Sequence, residues 1–333
     1  MYELLRESLF AFGPERAHSV TLESLRCLER AGLSRALLGA PPRLERTLFG
    51  LRFRNPVGLA AGLDKDGVAI AGLAALGFGF IEVGTVTPKP QPGSPKPRLF
   101  RLAADRALIN RMGFNNLGVD HLVGRISDVR SRIASDCPIG VNIGKNKDTP
   151  NERAVQDYVT CASRAAEVAD YITVNLSSPN TPGLRDLARV ESIAPLLAAV
   201  KRCVGSTPLL VKISPDMADG DLDALAAGLR QWGADGVIAT NTTIARPPSL
   251  TAHERAQQGG LSGAPLFEHS LRTIKRIAPR LLGLPLIGCG GVRAAGDALR
   301  MVEAGAGLVQ IYTGLIYEGP RLIRELVNAL RAS

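Results

Sequence analysis

Tyr171-Ile172-Thr173-Val174-Asn175-Leu176-Ser177-Ser178-Pro179-Asn180 is the stretch whose reading decides the rest of the chain. Its first half is a short continuous run rich in β-branched residues, the pattern of a strand buried on both faces. Its second half turns polar at once. Two amides and two hydroxyls stand where the strand ends and a loop begins, and Pro179 stiffens that loop. Taken alone, the same residues also spell an ordinary Ser-Pro-Asn turn, because each of them favours turns for local reasons. The unit does not stand alone, and its recurrence carries the argument.

Working outward, comparable apolar runs occur at 56–61, 80–86 and 139–143 before it, and at 209–213, 236–240, 284–288 and 308–312 after it. With 171–176 these make eight, each rich in Val, Ile or Leu and continuous rather than alternating. Helix-length stretches follow them, among them 66–76, stopped by Gly77, 219–232 with an acidic start, and 320–330 with proline in its first turn. Eight β–α units predict an α/β chain folded as a (β/α)8 TIM barrel, preceded by an N-terminal helical extension. A doubly wound open sheet is the alternative, but its dinucleotide fingerprint is missing: Arg293 occupies the third glycine position after Gly288 and Gly290.

Catalytic groups of a parallel barrel gather at the C-terminal ends of its strands. The polar motifs obey that rule: Lys65 follows the first run, Thr85 ends the second, Asn142 lies in the third and Asn175 and Ser178 follow the fourth. Lys212 lies in the fifth, and Thr240-Asn241-Thr242 ends the sixth. Two long insertions, 87–116 with its prolines and the motif Asn110-Arg111-Met112-Gly113-Phe114, and 244–270 with a glycine cluster ending at Gly263, interrupt the alternation. Long loops on an economical barrel are either covers over the site or tolerated surface insertions.

Composition narrows the partners. The 333 residues are 45% hydrophobic and 21% charged, an ordinary globular balance. A net charge of +9 favours an acidic substrate, a phosphate-bearing cofactor or an anionic membrane surface. Nucleic acid is not expected, since only 5% of residues are aromatic and no basic tract alternates with them. The five cysteines are scattered without CxxC spacing, which argues for free thiols in a reducing compartment, and no metal-binding motif appears. No apolar run approaches the ~20 residues of a membrane helix. The N-terminus, broken by Glu3, Arg6 and Glu7, does not read as a signal or transit peptide, so the chain is expected to stay in the cytoplasm.

Residues 1–40 stand outside the barrel of 41–333. Leu5, Leu9 and Phe12 share one helical face, as do Leu22, Leu25 and Leu28, predicting two short amphipathic helices. They serve either as a cap over the barrel bottom or as a docking surface. Five arginines here balance five glutamates, so membrane docking would rest on apolar area rather than on basic charge.

Several groups suggest chemistry. Gly288-Cys289-Gly290-Gly291 ends the seventh run and Tyr312-Thr313-Gly314 the eighth, where barrels commonly bind phosphate through backbone N–H groups. Lys212, inside Leu209-Leu210-Val211-Lys212-Ile213, is costly to bury without a partner, and the neighbouring strand-end motifs hold no acid to pair with it. Lys65, between Asp64 and Asp66, reads equally as a solvated loop lysine. The amides Asn110, Asn175, Asn180 and Asn241, with Thr242, either satisfy loop backbone or converge on a ring bearing several N–H and C=O groups and a carboxylate. His18, His121, His253 and His269 lie outside the strand-end motifs and are not expected to act as the base.

Together with Ala60-Ala61-Gly62-Leu63-Asp64-Lys65-Asp66, Asn142-Ile143-Gly144-Lys145-Asn146 and Gly259-Gly260-Leu261-Ser262-Gly263, these motifs in this order resemble the dihydroorotate dehydrogenases, specifically the membrane-associated, quinone-dependent class. The resemblance covers nearly the whole chain. It implies oxidation of dihydroorotate to orotate in pyrimidine biosynthesis, with FMN as cofactor and a membrane quinone as acceptor. Ser178 matches the catalytic base of that class, where the soluble class has cysteine, and Thr181 matches a hydroxyl relaying the proton. Lys65, Asn110, Arg111, Met112, Gly113, Phe114, Asn175, Asn180, Asn241 and Thr242 match the substrate site. Ala61, Gly62, Leu63, Asp64, Lys65, Thr85, Asn142, Asn175, Lys212, Thr240, Gly263, Gly291, Tyr312 and Thr313 match the flavin site. His18, Arg101 and Tyr312 match positions of an apolar quinone tunnel formed with the extension. The resemblance further implies a monomer held peripherally on the cytoplasmic face of a bacterial inner membrane. A soluble-class enzyme and a non-catalytic FMN-binding barrel are the alternatives; Ser178 and residues 1–40 weigh against the first, the amide cluster against the second.

Overall fold

A computed structural model describes residues 2–33, 41–180, 184, 187 and 189–332. In chain order its strands are β1 (Arg46–Leu48), β2 (Leu51–Phe53), β3 (Val57–Leu59), β4 (Phe80–Val86), β5 (Leu99–Leu102), β6 (Ala107–Asn110) and β7 (Ile139–Ile143). They continue with β8 (Tyr171–Asn175), β9 (Leu209–Ile213), β10 (Gly236–Ala239), β11 (Gly260–Gly263), β12 (Leu286–Cys289) and β13 (Leu308–Ile311). Eight of them, β3, β4, β7, β8, β9, β10, β12 and β13, close into a parallel barrel. These are the eight expected runs; Leu284 and Pro285 precede β12, and Thr240 and Tyr312 fall just past β10 and β13.

The continuous apolar character of the runs has a direct cause. Inward residues Phe80, Tyr171, Leu210, Ile238, Ile287 and Leu308 pack with one another inside the barrel. Outward residues such as Ile81, Val83, Ile172, Val174 and Val211 join the larger core beneath the helices. Both faces are therefore dry. Two inward glycines make room for the large rings: a Cβ on Gly58 would stand 2.2 Å from the Phe80 ring, and one on Gly140 2.1 Å from that of Tyr171.

The barrel bottom is closed by an element absent from the sequence reading. β1 and β2 form an antiparallel hairpin whose turn residues Phe49 and Gly50 both have positive φ, 55° and 74°, the geometry of a tight two-residue turn. Phe53 at its end meets Phe80 edge-on, with centroids 5.2 Å apart. The extension is consequently no bottom cap. Its helices, α1 (Tyr2–Phe10) and α2 (Pro14–Arg30), lie on elements that follow the C-terminal ends of β13 and β3. Tyr2 OH donates to Ile316 O at 2.8 Å, the Phe10 and Tyr317 rings meet edge-on at 5.7 Å, and Gly72 admits the Leu25 backbone so closely that a Cβ would be 2.6 Å from its carbonyl oxygen. Phe12, grouped with Leu5 and Leu9 from the sequence, lies beyond the end of α1.

Other boundaries shift for local reasons. The helix expected over 66–76 covers Ile70–Ala75, because the Asp64 carboxylate accepts the N–H groups of Val68 and Ala69, each at 2.8 Å, and holds 64–69 as a loop. The helix expected over 219–232 runs Asp219–Gly228, and the last one Arg321–Ala332. The two long insertions are not structureless: the first supplies β5 and β6, the second β11, and these three form an antiparallel sheet. The end of the second insertion belongs to the helix Phe267–Ile277.

Candidate active site

The sheet β5–β6–β11, the strand ends and α2 together enclose a cavity of about 450 Å³. Most of the residues singled out from the sequence line it: Ala61, Gly62, Asp64, Lys65, Thr85, Asn110, Met112, Gly113, Phe114, Asn175, Ser178, Asn180, Lys212, Thr240, Asn241, Thr242, Gly263, Gly291, Tyr312 and Thr313. Four do not. Leu63 is packed into the hydrophobic core, and Asn142 is fully buried one layer beneath Thr85 and Asn175. Arg111 turns away, its guanidinium 4.6 Å from the Phe100 ring centre and donating to Gln257 Oε1 at 3.1 Å, so it ties the covering loops together. Arg101 also lies outside, over the Phe10 ring at 4.5 Å and donating to the Phe10 carbonyl. Thr181 lies outside the described residues.

Ser178 is buried at the loop after β8, and its Oγ accepts the Asn180 N–H at 3.3 Å. Asn180 Nδ2 donates to Asn110 Oδ1 at 3.2 Å, and Asn110 Nδ2 donates to Gly260 O at 3.4 Å, so strands β6 and β11 of the cover are stitched to the Ser178 loop. Asn241 Nδ2 donates to Ser177 Oγ at 2.9 Å, and Asn175 Nδ2 to Thr85 Oγ1 at 2.9 Å. The side chains that the spacing scattered over three β–α units thus form one polar wall.

Two lysines, a histidine and a carboxylate set its electrostatics. Lys65 Nζ donates to Gly62 O at 2.9 Å, and burial, opposed by Asp66, pushes its ammonium down to about 8. Burial, with the Lys65 charge adding to it, lowers His18 to about 4, so this α2 imidazole at the cavity wall is neutral at pH 7. Burial raises Asp64, against the two backbone bonds that engage its carboxylate. Lys212 is buried, faces the cavity and has no hydrogen-bond or ion-pair partner among the described residues. None of the acids at the strand ends pairs with Lys212 among the described residues, and a further acid sits deeper. Glu82, in the middle of β4, is fully buried inside the barrel. Sequence reasoning passed over it and over Gln310 of β13; each breaks an apolar run as Lys212 does, which was the available signal.

At the far end, the backbone N–H groups of Gly290, Gly291 and Thr313 meet no acceptor among the described residues, and Thr313 Oγ1 donates to Ser262 Oγ at 2.9 Å. The helix that follows the glycine turn starts only at Ala295, and the Asp297 carboxylate accepts the N–H groups of Arg293 and Ala294 just before it, at 2.9 and 3.0 Å. The donors open to an anion are therefore those of the glycine turn and Thr313. No cluster of metal-ligating side chains occurs among the described residues.

Comparison with known proteins fits this arrangement. A family model described as dihydroorotate dehydrogenase matches residues 43–333. A dihydroorotate dehydrogenase (quinone) of Pseudomonas putida is 51% identical, covering 100% of this chain and 99% of its own length. One of the same description from Xanthomonas campestris is 51% identical, covering 99% and 96%. A DHODH from Eimeria tenella, solved in complex with ferulenol, is 38% identical with a TM-score of 0.87, over 95% of this chain and 90% of that one.

Proposed function

The chain belongs to the dihydroorotate dehydrogenase family, in its quinone-dependent class, and from that premise we propose that it oxidises dihydroorotate to orotate in pyrimidine biosynthesis, using FMN and delivering electrons to a membrane quinone. The observation that carries the reading is the convergence of Ser178, Asn110, Asn175 and Asn241 with Lys65 in one covered cavity.

FMN fits the donors present. The N–H groups of Gly290, Gly291 and Thr313 suit its phosphate, and Lys212, lacking a protein partner among the described residues, suits a ring that gains negative charge. Thr85, Thr240 and Asn175 would line its polar edge, and Tyr312 and Gly263 its flanks, with Asn142 supporting them from beneath. When bound, FMN supplies the two-electron acceptor for the oxidation. The protein's own part is binding and proton transfer. Lys65 attracts the substrate carboxylate, the amides of Asn110, Asn175, Asn180 and Asn241 with Thr242 match the N–H and C=O groups of its ring, and Met112, Gly113 and Phe114 close over it. Ser178 Oγ takes the proton from C5. Serine is a weak base, and the Asn180 N–H directed at Oγ favours the charge that develops there. The covering sheet keeps water from the reacting carbon.

Residues 1–40 form the quinone side in this reading, with the barrel of 41–333 as catalytic domain. His18, Ser19 and Leu22 of α2 line the cavity, and Leu4 and Leu5 of α1 are 70% and 55% exposed. No described helix is long and apolar enough to cross a membrane. Apolar side chains presented by short helices suit peripheral docking of a monomer on the cytoplasmic face of a bacterial membrane. Anaerobic addition of dihydroorotate to the purified protein tests the reading: loss of the yellow flavin absorbance is expected, and an unchanged spectrum of FMN-loaded protein contradicts it.

A further inference from the structure

We propose that Glu82 is a positioning residue, an acceptor-only anchor beneath the cavity that sets the direction of the amide chain leading to the Ser177–Ser178 loop. Four barrel strands meet at it. Its Oε1 accepts Asn142 Nδ2 from β7 at 2.8 Å, while its Oε2 accepts Gln310 Nε2 from β13 at 2.9 Å and Tyr171 OH from β8 at 3.3 Å. No cation lies within ion-pair distance among the described residues, so its task is not charge pairing.

A carboxylate offers acceptors only, whereas an amide has one donating and one accepting end. With Nδ2 committed to Glu82, Asn142 must present Oδ1 upward, where it accepts Thr85 Oγ1 and Asn175 Nδ2, the latter at 3.1 Å. Asn175, its Nδ2 so used, turns Oδ1 the other way, towards Asn241 Nδ2 at 3.3 Å and Ser177 Oγ at 3.2 Å. Asn241 is left with Oδ1 to receive the Thr242 N–H at 2.7 Å. One buried carboxylate thereby decides three amide orientations in sequence, and the last two face the residue next to Ser178. A glutamine in place of Glu82 would direct an N–H at the donor of either Asn142 or Gln310; flipping Asn142 would move the same clash to Asn175, and flipping Gln310, whose Oε1 meets no partner among the described residues, would turn its amide N–H groups away from their only acceptor.

The kinetic consequence rests on the proposed function, so the test also reads the protein without it. Three variants are compared with wild type: Glu82→Gln, Asn142→Asp and the swap E82Q/N142D. The swap keeps the charge and restores every pairing. Its new amide, on β4, donates to the new carboxylate on β7 and accepts from Gln310 and Tyr171, while that carboxylate accepts from Thr85 and Asn175. Expected are lower thermal midpoints of the FMN-free protein and weaker FMN binding for both single variants, with anaerobic flavin reduction by dihydroorotate slowed about 10- to 100-fold in Glu82→Gln, the scale of an unsatisfied buried polar pair. The swap should recover most of all three. A swap no better than Glu82→Gln, including one that fails to fold, overturns the proposal, as does a Glu82→Gln indistinguishable from wild type. A swap that restores the midpoint and FMN binding but not the reduction rate makes the network purely structural and overturns the positioning role. Wild-type protein that dihydroorotate fails to bleach counts against the function, while the relay is still judged on midpoint and FMN affinity.

Discussion

Asn180 Nδ2 stands 3.2 Å from Asn110 Oδ1, so a single amide pair joins the loop carrying Ser178 to the sheet covering the cavity. The two residues are 70 positions apart in sequence, on elements that share no strand pairing. If that bond closes the site, Asn110→Ala and Asn180→Ala should each raise KM for dihydroorotate and lower kcat. Their effects should not add, because both remove one shared contact. A double variant with the full product of the two single losses would mean that the bond between the amides adds nothing to their separate contacts with the substrate.

Ser178→Ala should leave FMN bound and slow flavin reduction by a factor on the order of 10²–10⁴, the usual cost of losing a general base. Ser178→Cys should keep part of the rate, since a thiol at the same place can take the same proton. Stopped-flow absorbance under anaerobic conditions measures both. A wild-type rate in the alanine variant would return Ser178 to the role of a turn residue.

Lys65 makes the site sensitive to alkali. Burial, partly offset by Asp66, brings its ammonium down to about 8 from an ordinary 10.5. Below that pH it is charged and attracts the substrate carboxylate; as pH rises through about 8 it loses its proton and the attraction goes with it. KM should therefore climb above that pH while kcat changes less, and Lys65→Arg, which stays charged, should flatten the profile. A KM that is level into the alkaline range in the wild type would separate Lys65 from substrate binding.

The barrel was legible because each of its strands is buried on both faces and writes that fact as an unbroken apolar run. The strand-end rule then located Lys65, Asn175, Ser178, Lys212 and Asn241 without any family knowledge. What escaped was non-local. The β1–β2 hairpin has a short, half-exposed pattern, and its meaning comes from Phe53 meeting Phe80. Arg111 sits inside a site motif yet spends its guanidinium on Phe100 and Gln257, because its neighbours in sequence face the cavity and it does not. Glu82 was hidden by the apolar run around it; only its three donors, brought from three other strands, show what it is for.

The extension separates the two half-reactions. α2 contributes His18 and Leu22 to the cavity and is held to the cover by Glu15, whose carboxylate accepts Arg98 Nε at 3.0 Å. The amide wall, by contrast, belongs wholly to the barrel and its insertions. Removing residues 1–40 should spare reduction by dihydroorotate and turnover with a small water-soluble acceptor, but strongly impair turnover with a long-chain quinone and binding to lipid vesicles. Full-rate turnover of long-chain quinone by the truncated, FMN-loaded protein would reduce the extension to packing alone.

In the proposed function, one cavity passes electrons from dihydroorotate to a quinone. Its most direct measurement is anaerobic turnover of the full-length, FMN-loaded protein, following orotate formed and quinone reduced together, with fumarate and NAD+ as competing acceptors. Orotate and reduced quinone are expected in equal amounts, with no turnover on fumarate or NAD+. Orotate formed with fumarate or NAD+ but not with quinone, or no orotate with any acceptor, would contradict it.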